Sequence, residues 1–349
     1  MLSKRRFWVG LFVIQILLFY LFSRWSGVVY FVDFLFEQKK YLFQSLFSKI
    51  PFSLGDFVYF VLGLLLVFSI FKLFNSKTRK AYLLRLLKGL NVFYFVYQLV
   101  WGMTYFQRPI VLALDEKEPQ ITEIKALALK YLHQAKHTRT LVKEDGKGVF
   151  QIQDLEKIKK EILSQQKRIP AFLGNKISTE IDNFKPSLYS GFMNYTGVMG
   201  YYNPFSTEAQ YNSHLPHTYL PFTLSHESAH QLGFAREQEA NFVGYLVGIG
   251  SENPELRYST EYFVLKSLLR ALIAEDEDFV KTIIAQYSDE MKRDYQAEKD
   301  FVEEYQGPMN TFFAFTNDLF LKTNQQEGAV TYSYFVDLLV RYERMNHSK

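Results

Sequence analysis

The chain has 349 residues, 40 Lys and Arg against 36 Asp and Glu, 34 Phe, 24 Tyr and no Cys, which excludes a disordered chain, disulfides, thiolate nucleophiles and any Cys-ligated metal. The net charge of +4 averages two unlike parts: residues 1–114 hold 14 basic and 3 acidic side chains, and residues 115–349 hold 26 and 33.

In chain order, the uncharged run Phe7 to Phe22 follows Lys4, Arg5 and Arg6 and reads as a signal anchor rather than a cleaved signal peptide, because no small-residue cleavage site follows it. Ser23 to Asp56 forms a loop whose Phe-, Tyr- and Leu-rich stretch Val28 to Phe47 is expected to lie along the membrane interface as an amphipathic helix. Further apolar runs, Phe57 to Phe71 and Leu90 to Phe106, complete three crossings once their aromatic flanks are counted. Lys72 to Lys88 carries six basic residues and no acid, so this segment and the N-terminus are expected on the cytoplasmic side. The chain after Arg108-Pro109 then lies outside the cytoplasm, on a multi-pass protein of the cytoplasmic (inner) membrane. The lipid bilayer is thus one expected partner. Nucleic acid is not, because the basic residues flank apolar runs and suit anionic headgroups.

From Asp115 the composition is that of a water-soluble, mostly helical domain, so residues 1–114 and 115–349 are expected as a membrane domain and an extracytoplasmic domain. Helical periodicity marks Ile121 to His137, Leu155 to Gln166, Thr260 to Ile273, Phe279 to Tyr287, Glu290 to Asn324 with a break at Gly307-Pro308, and Tyr332 to Met345. Between Pro170 and Pro221 the texture turns to Pro, Gly, Ser, Asn and Tyr, the one region suited to a small sheet. The fold class that follows is mainly α: three transmembrane helices, then a mostly helical α+β domain. The acidic run Glu275 to Asp278 reads as the first turn of a helix.

Residues 226–230 read His-Glu-Ser-Ala-His. On a helix, residues four apart share a face, so His226 and His230 are able to bind one Zn²⁺ while Glu227, about 100° round, reaches a water in the open position as general base. A catalytic zinc needs a third protein ligand, and Gly233 is suited to end the helix and turn the chain back. Two carboxylates then compete. On a following helix Glu237 shares a face with Asn241, Gly244 and Gly248, whereas Glu239 points about 200° away. Glu237 is therefore the expected third ligand, with Asn241 hydrogen-bonding a ligating His and Glu239 as the alternative ligand. Without Cys, a zinc site in this chain must be built from His and carboxylate. For a donor that stabilises an oxyanion, Tyr332, Tyr334, Tyr201, Tyr202, His214 and His217 stay open, with Tyr332 preferred because a Gly-containing turn precedes it. The Tyr-rich stretch Gly200 to Asn212 is a possible edge strand for an extended peptide, and Glu208 within it suits either a substrate amine or a salt bridge.

HExxH followed by ExxAN, on His226, Glu227, His230, Glu237 and Asn241, resembles the gluzincin-type metallopeptidases, in which the Glu of the second motif is the third zinc ligand and the residue after its Ala orients a His. More closely, HESAHQLGFAREQEANF after PFTLS, with GYYNPFSTEAQYN and GAVTYSYFVDLL, is similar to an uncharacterised family of bacterial membrane-anchored zinc-dependent peptidases. That resemblance implies a zincin-like domain, Zn²⁺ as cofactor and a peptide or protein substrate. The spacing departs from most gluzincins: only six residues separate His230 from Glu237. The expectation is a membrane-anchored zinc metallopeptidase. The other readings are a zinc hydrolase of a non-protein amide such as cell-wall material, and a catalytically silent zinc-stabilised scaffold.

Overall fold

A computed structural model describes residues 2–174, 176–323 and 331–347. Four helices open the chain: α1 (Leu2–Phe22), α2 (Ser26–Phe47), α3 (Leu54–Leu73) and α4 (Ser76–Val100). Three segments, Lys4–Phe22, Leu54–Leu73 and Ser76–Val100, are long and apolar enough to cross a membrane. Buried Asn91 of α4 donates to Trp8 O at 3.1 Å and so ties α4 to α1. The third span is not the expected run Leu90 to Phe106. Capped by Asn75, whose Oδ1 accepts from Lys77 N at 2.9 Å, the helix starts at Ser76 and takes in most of the basic segment read as a loop. Long Lys and Arg side chains permit this by reaching outward past the apolar surface. At the other end the helix stops at Val100, and Gly102–Phe106 closes as a buried 3-10 turn.

Helix α2 is amphipathic in the expected way. Val29, Val32, Phe36, Lys40 and Gln44, three or four residues apart, are buried. Tyr30, Phe31, Phe34, Tyr41 and Leu42 are exposed on the opposite side.

The head that follows contains α5 (Ile121–Arg139), α6 (Leu155–Gln165), β1 (Phe184–Pro186), α7 (Ser190–Thr196), β2 (Gly200–Asn203), β3 (Glu208–Tyr211), α8 (Leu220–Leu232), α9 (Glu237–Ile249), α10 (Pro254–Leu272), α11 (Glu277–Ala285), α12 (Asp289–Tyr305), α13 (Pro308–Thr323) and α14 (Thr331–His347). All three strands fall between Pro170 and Pro221. The sheet order is β1-β3-β2, with β1 parallel and β2 antiparallel to β3, so β2 is an edge strand. Helix α10 begins at Pro254 rather than at Thr260, because Asn253 caps it by accepting from Glu255 N and Leu256 N at 2.9 and 3.2 Å. As expected, the acidic run opens a helix: Asp276 caps α11 by accepting from Phe279 N.

The main core lies where α5, α8, α9, α10 and α14 meet, with Phe222 stacked on Phe263 at 3.6 Å. Beside it is a buried ionic knot. Asp294 accepts from Arg139 Nε at 2.7 Å, Tyr258 Oη at 2.6 Å and Phe150 N at 2.8 Å, and the Arg139 and Asp294 side chains are 2% and 0% exposed. Removing Asp294 leaves the buried Arg139 with only Glu144 Oε2 at 3.4 Å and Gly148 O at 3.1 Å. Asp294→Ala is therefore expected to lower stability by about 3–5 kcal/mol, read as an early denaturant midpoint for the detergent-solubilised chain.

The sheet is fastened to the ends of the membrane helices. Fully buried Glu208 of β3 accepts from Leu54 N at 2.9 Å and Gly55 N at 2.7 Å, an anion at the positive N-terminus of α3. Neither reading of Glu208 from the sequence anticipated this, since its partners lie 153 and 154 residues away. Asp56 of α3 accepts in turn from Ser187 Oγ at 2.9 Å and Leu188 N at 2.7 Å. Lys39 of α2 donates to Pro204 O at 2.7 Å and Val100 O at 3.3 Å.

Candidate metal centre

Pro221 sits in the first turn of α8, where its missing N–H costs no helical bond. Gly233, at φ +101°, ends the helix in the left-handed region, and Phe234 N returns to Ala229 O at 3.1 Å. The chain doubles back and α9 starts at Glu237. The two helices approach closely at Gly244, where a Cβ would stand 3.1 Å from His226 N. Gly248 does not serve that interface as the spacing suggested. It faces α10, and a Cβ there would stand 1.9 Å from Thr260 Oγ1, because α9 is clasped between α8 and α10.

This hairpin brings four side chains together. Ligand atoms of His226, Glu227 and His230 lie within 4.8 Å of one another. The Glu237 carboxylate spans both imidazoles, with Oε2 3.2 Å from His226 Nε2 and Oε1 3.6 Å from His230 Nε2. Each imidazole is held from behind: His226 Nδ1 is 2.8 Å from Asn241 Oδ1, and His230 Nδ1 is 2.7 Å from Phe234 O. Both partners are acceptors, so each Nδ1 donates to its partner and each Nε2 is the nitrogen turned toward Glu237. Glu239 turns away, as its helical phase requires. Its Oε1 accepts from Ile110 N and Arg236 Nη1, each at 2.9 Å.

The electrostatics follow from burial and proximity. Burial pushes the Glu227 carboxyl up to about 7, against the pull of His226 and His230. For His230, burial acts to lower the pKa, but the Glu237 carboxylate prevails and raises it to about 9. Glu237 itself is held far below the usual carboxylate range, because the two imidazoles outweigh its burial. An ion pair would account for these contacts alone. It does not account for Glu227, whose Oε2 is buried with no hydrogen-bond partner among the described residues. Two imidazoles held by their Nδ1 atoms, one carboxylate between them and Glu227 Oε2 alongside form a donor set that could hold a metal ion.

A family described as "Protein of unknown function (DUF3810)" matches residues 31–340. The chain belongs to the DUF3810 family. No curated protein matches the chain, and no solved structure does. The DUF3810 match takes in α3, α4, the sheet and the whole His–Glu cluster, while α1 precedes it.

Other residues singled out in the DUF3810 chain fall elsewhere. Tyr332 starts α14, but its side chain lies outside the described residues. His217 Nδ1 accepts from Ile152 N at 2.8 Å, a structural bond in the approach to α6. Tyr202 packs its ring 6.5 Å from that of His230. Arg236 pairs with Glu239 and donates to Gln107 O at 2.7 Å. Sequence reasoning passed over Trp101 and Tyr105, which it absorbed into a membrane run. Trp101 contacts the His230 ring edge-on at 5.9 Å, and buried Tyr105 lies within electrostatic range of Glu237.

Asn241 is a positioning residue for His226. Its replacement by Ala is expected to weaken the hold of the cluster on a metal ion by about 10–100-fold, measured with Zn²⁺ as the probe by chelator competition, and Asn241→Asp, which keeps the acceptor, should restore most of the affinity.

Proposed function

We propose that the DUF3810 chain is a membrane-anchored zinc-dependent peptidase with a zincin-like head. The observation that carries this reading is the convergence of His226 Nε2 and His230 Nε2 on Glu237, with both Nδ1 atoms fixed and beside them Glu227 Oε2, buried with no hydrogen-bond partner among the described residues. His226, His230 and Glu237 would hold the ion, which when bound supplies a Lewis acid that polarises a carbonyl and acidifies water. Glu227 takes a proton from the attacking water and returns it to the leaving nitrogen. Water adds across the C–N bond, giving one carboxyl and one amine product. The side chains of His226 and Glu237 keep 15% and 33% exposure, so the cluster is open on that side.

The edge strand β2 favours a peptide over a non-protein amide. Gly200 lies against Glu227, so an extended substrate pairing with its free edge would bring a backbone amide to the base. A silent structural zinc is disfavoured because it needs no base and is usually closed by a fourth ligand. The basic residues at the N-terminus and around the α3–α4 turn support a topology with that end in the cytoplasm and the head on the outer side of the cytoplasmic membrane.

The test uses the full chain in nanodiscs. Bound metal is measured, then cleavage of a randomised peptide library is followed by mass spectrometry before and after chelation and zinc return. The expected result is a single zinc per chain and cleavage that follows the zinc. Lack of zinc binding would overturn the site. Stoichiometric zinc with no cleavage would leave the scaffold reading.

A further inference from the structure

The metal centre is held at a fixed, short height above the membrane helices. Phe205, in the turn after β2, packs 6.5 Å from Tyr59 of α3 and 5.7 Å from Phe93 of α4, so this turn rests on the head end of two spans. From there α4 runs on to its end at Val100, and Trp101, the next residue, lies edge-on to the His230 ring, so the cluster begins where the third span ends. Gly200, which lies against Glu227, is about five residues from Phe205, so at most about 17 Å of extended chain joins the base to the turn that rests on the spans.

Nothing in this arrangement suggests a swinging head. Glu208 on the α3 N-terminus, Asp56 on Ser187 and Leu188, and Lys39 between Val100 and Pro204 fasten it at three separate points. Trp101 and the juxtamembrane turn Gly102–Phe106, whose Tyr105 packs with Trp101 and Tyr202, form part of the surround of His230. Helix α2 adds exposed Tyr30, Phe31 and Phe34, a surface suited to the lipid interface.

Building on the peptidase reading, we infer that the substrate is a polypeptide anchored in the same membrane, cut within roughly five residues of the end of its membrane segment. The upper bound of about 17 Å sets that limit when the tail is extended. A tethered tail is presented to the site at a high effective concentration, whereas a folded soluble protein meets the bilayer before its surface reaches the cluster.

The test uses the full chain co-reconstituted in phosphatidylcholine/phosphatidylglycerol vesicles with three probes sharing one randomised extended tail. In the first the tail directly follows a synthetic single-span helix. In the second a rigid helical spacer of about 40 Å separates the two. In the third the tail is free. The expected result is cleavage of the first probe clustered within about the first five tail residues, at least about tenfold faster than the others. Equal rates for all three, or cut sites scattered without reference to the membrane helix, would overturn the inference and leave the peptidase intact. If zinc is bound and no probe is cut, the peptidase reading fails and this inference falls with it.

Discussion

Glu237→Ala is expected to abolish the zinc binding proposed for the cluster, while Glu239→Ala, two residues on, leaves that binding in place and costs stability instead. The difference comes from helical phase. Glu237 is directed at both imidazoles, so its removal leaves two donors where three are required, a loss beyond the roughly 10–100-fold typical of an orienting residue. Glu239 is 6% exposed and serves Ile110 N and Arg236 at the junction between the 3-10 turn Ile110–Ala113 and α9. Truncating it strands a buried N–H and a partly buried guanidinium, a cost of about 1–3 kcal/mol. Metal content by mass spectrometry and denaturant midpoints on the same preparations separate the two effects. Zinc lost from Glu239→Ala and kept by Glu237→Ala would reverse the ligand assignment.

The parts of the site legible in the sequence are those encoded by one helix or one turn. The spacing of His226 and His230, the reversal at Gly233 and the phase that separates Glu237 from Glu239 each depend on neighbours within about a turn or two, and the structure brings them together as that local logic requires. What was not legible depends on which elements become neighbours. Gly244 and Gly248 share a helical face in sequence, yet α8 takes one and α10 the other, since a helix clasped between two partners has no single packing face. Trp101 and Tyr105 are as apolar as the run before them, and only the break after Val100 sends them to the metal cluster rather than into the span. Glu208 offered two local readings, and a third was realised because the N-terminus of α3 presents two free N–H groups to it. The same reasoning explains the candidate spans. Their number among the described residues is a matter of summed hydropathy, while the start of the third helix was set by an Asn75 cap that outweighed the basic residues beyond it.

The second large effect concerns chemistry with the metal set left whole. Glu227→Gln is expected to retain zinc and lose about 10²–10⁴-fold in turnover, measured on any peptide the parent chain cleaves. The amide is nearly isosteric with the carboxylate, so the close fit against Gly200, where a Cβ would stand 2.8 Å from Glu227 Oε1, is preserved. What is removed is basicity at Oε2, the buried oxygen with no partner among the described residues. The comparison also decides between two roles that proximity alone leaves open, because Glu227 is as near to the imidazole nitrogens as a ligand would be. A ligand and a base respond differently to the same change. If Gln lowers zinc content in step with turnover, Glu227 belongs to the metal set. If zinc stays and turnover falls, Glu227 moves the proton and Glu237 completes the ligands.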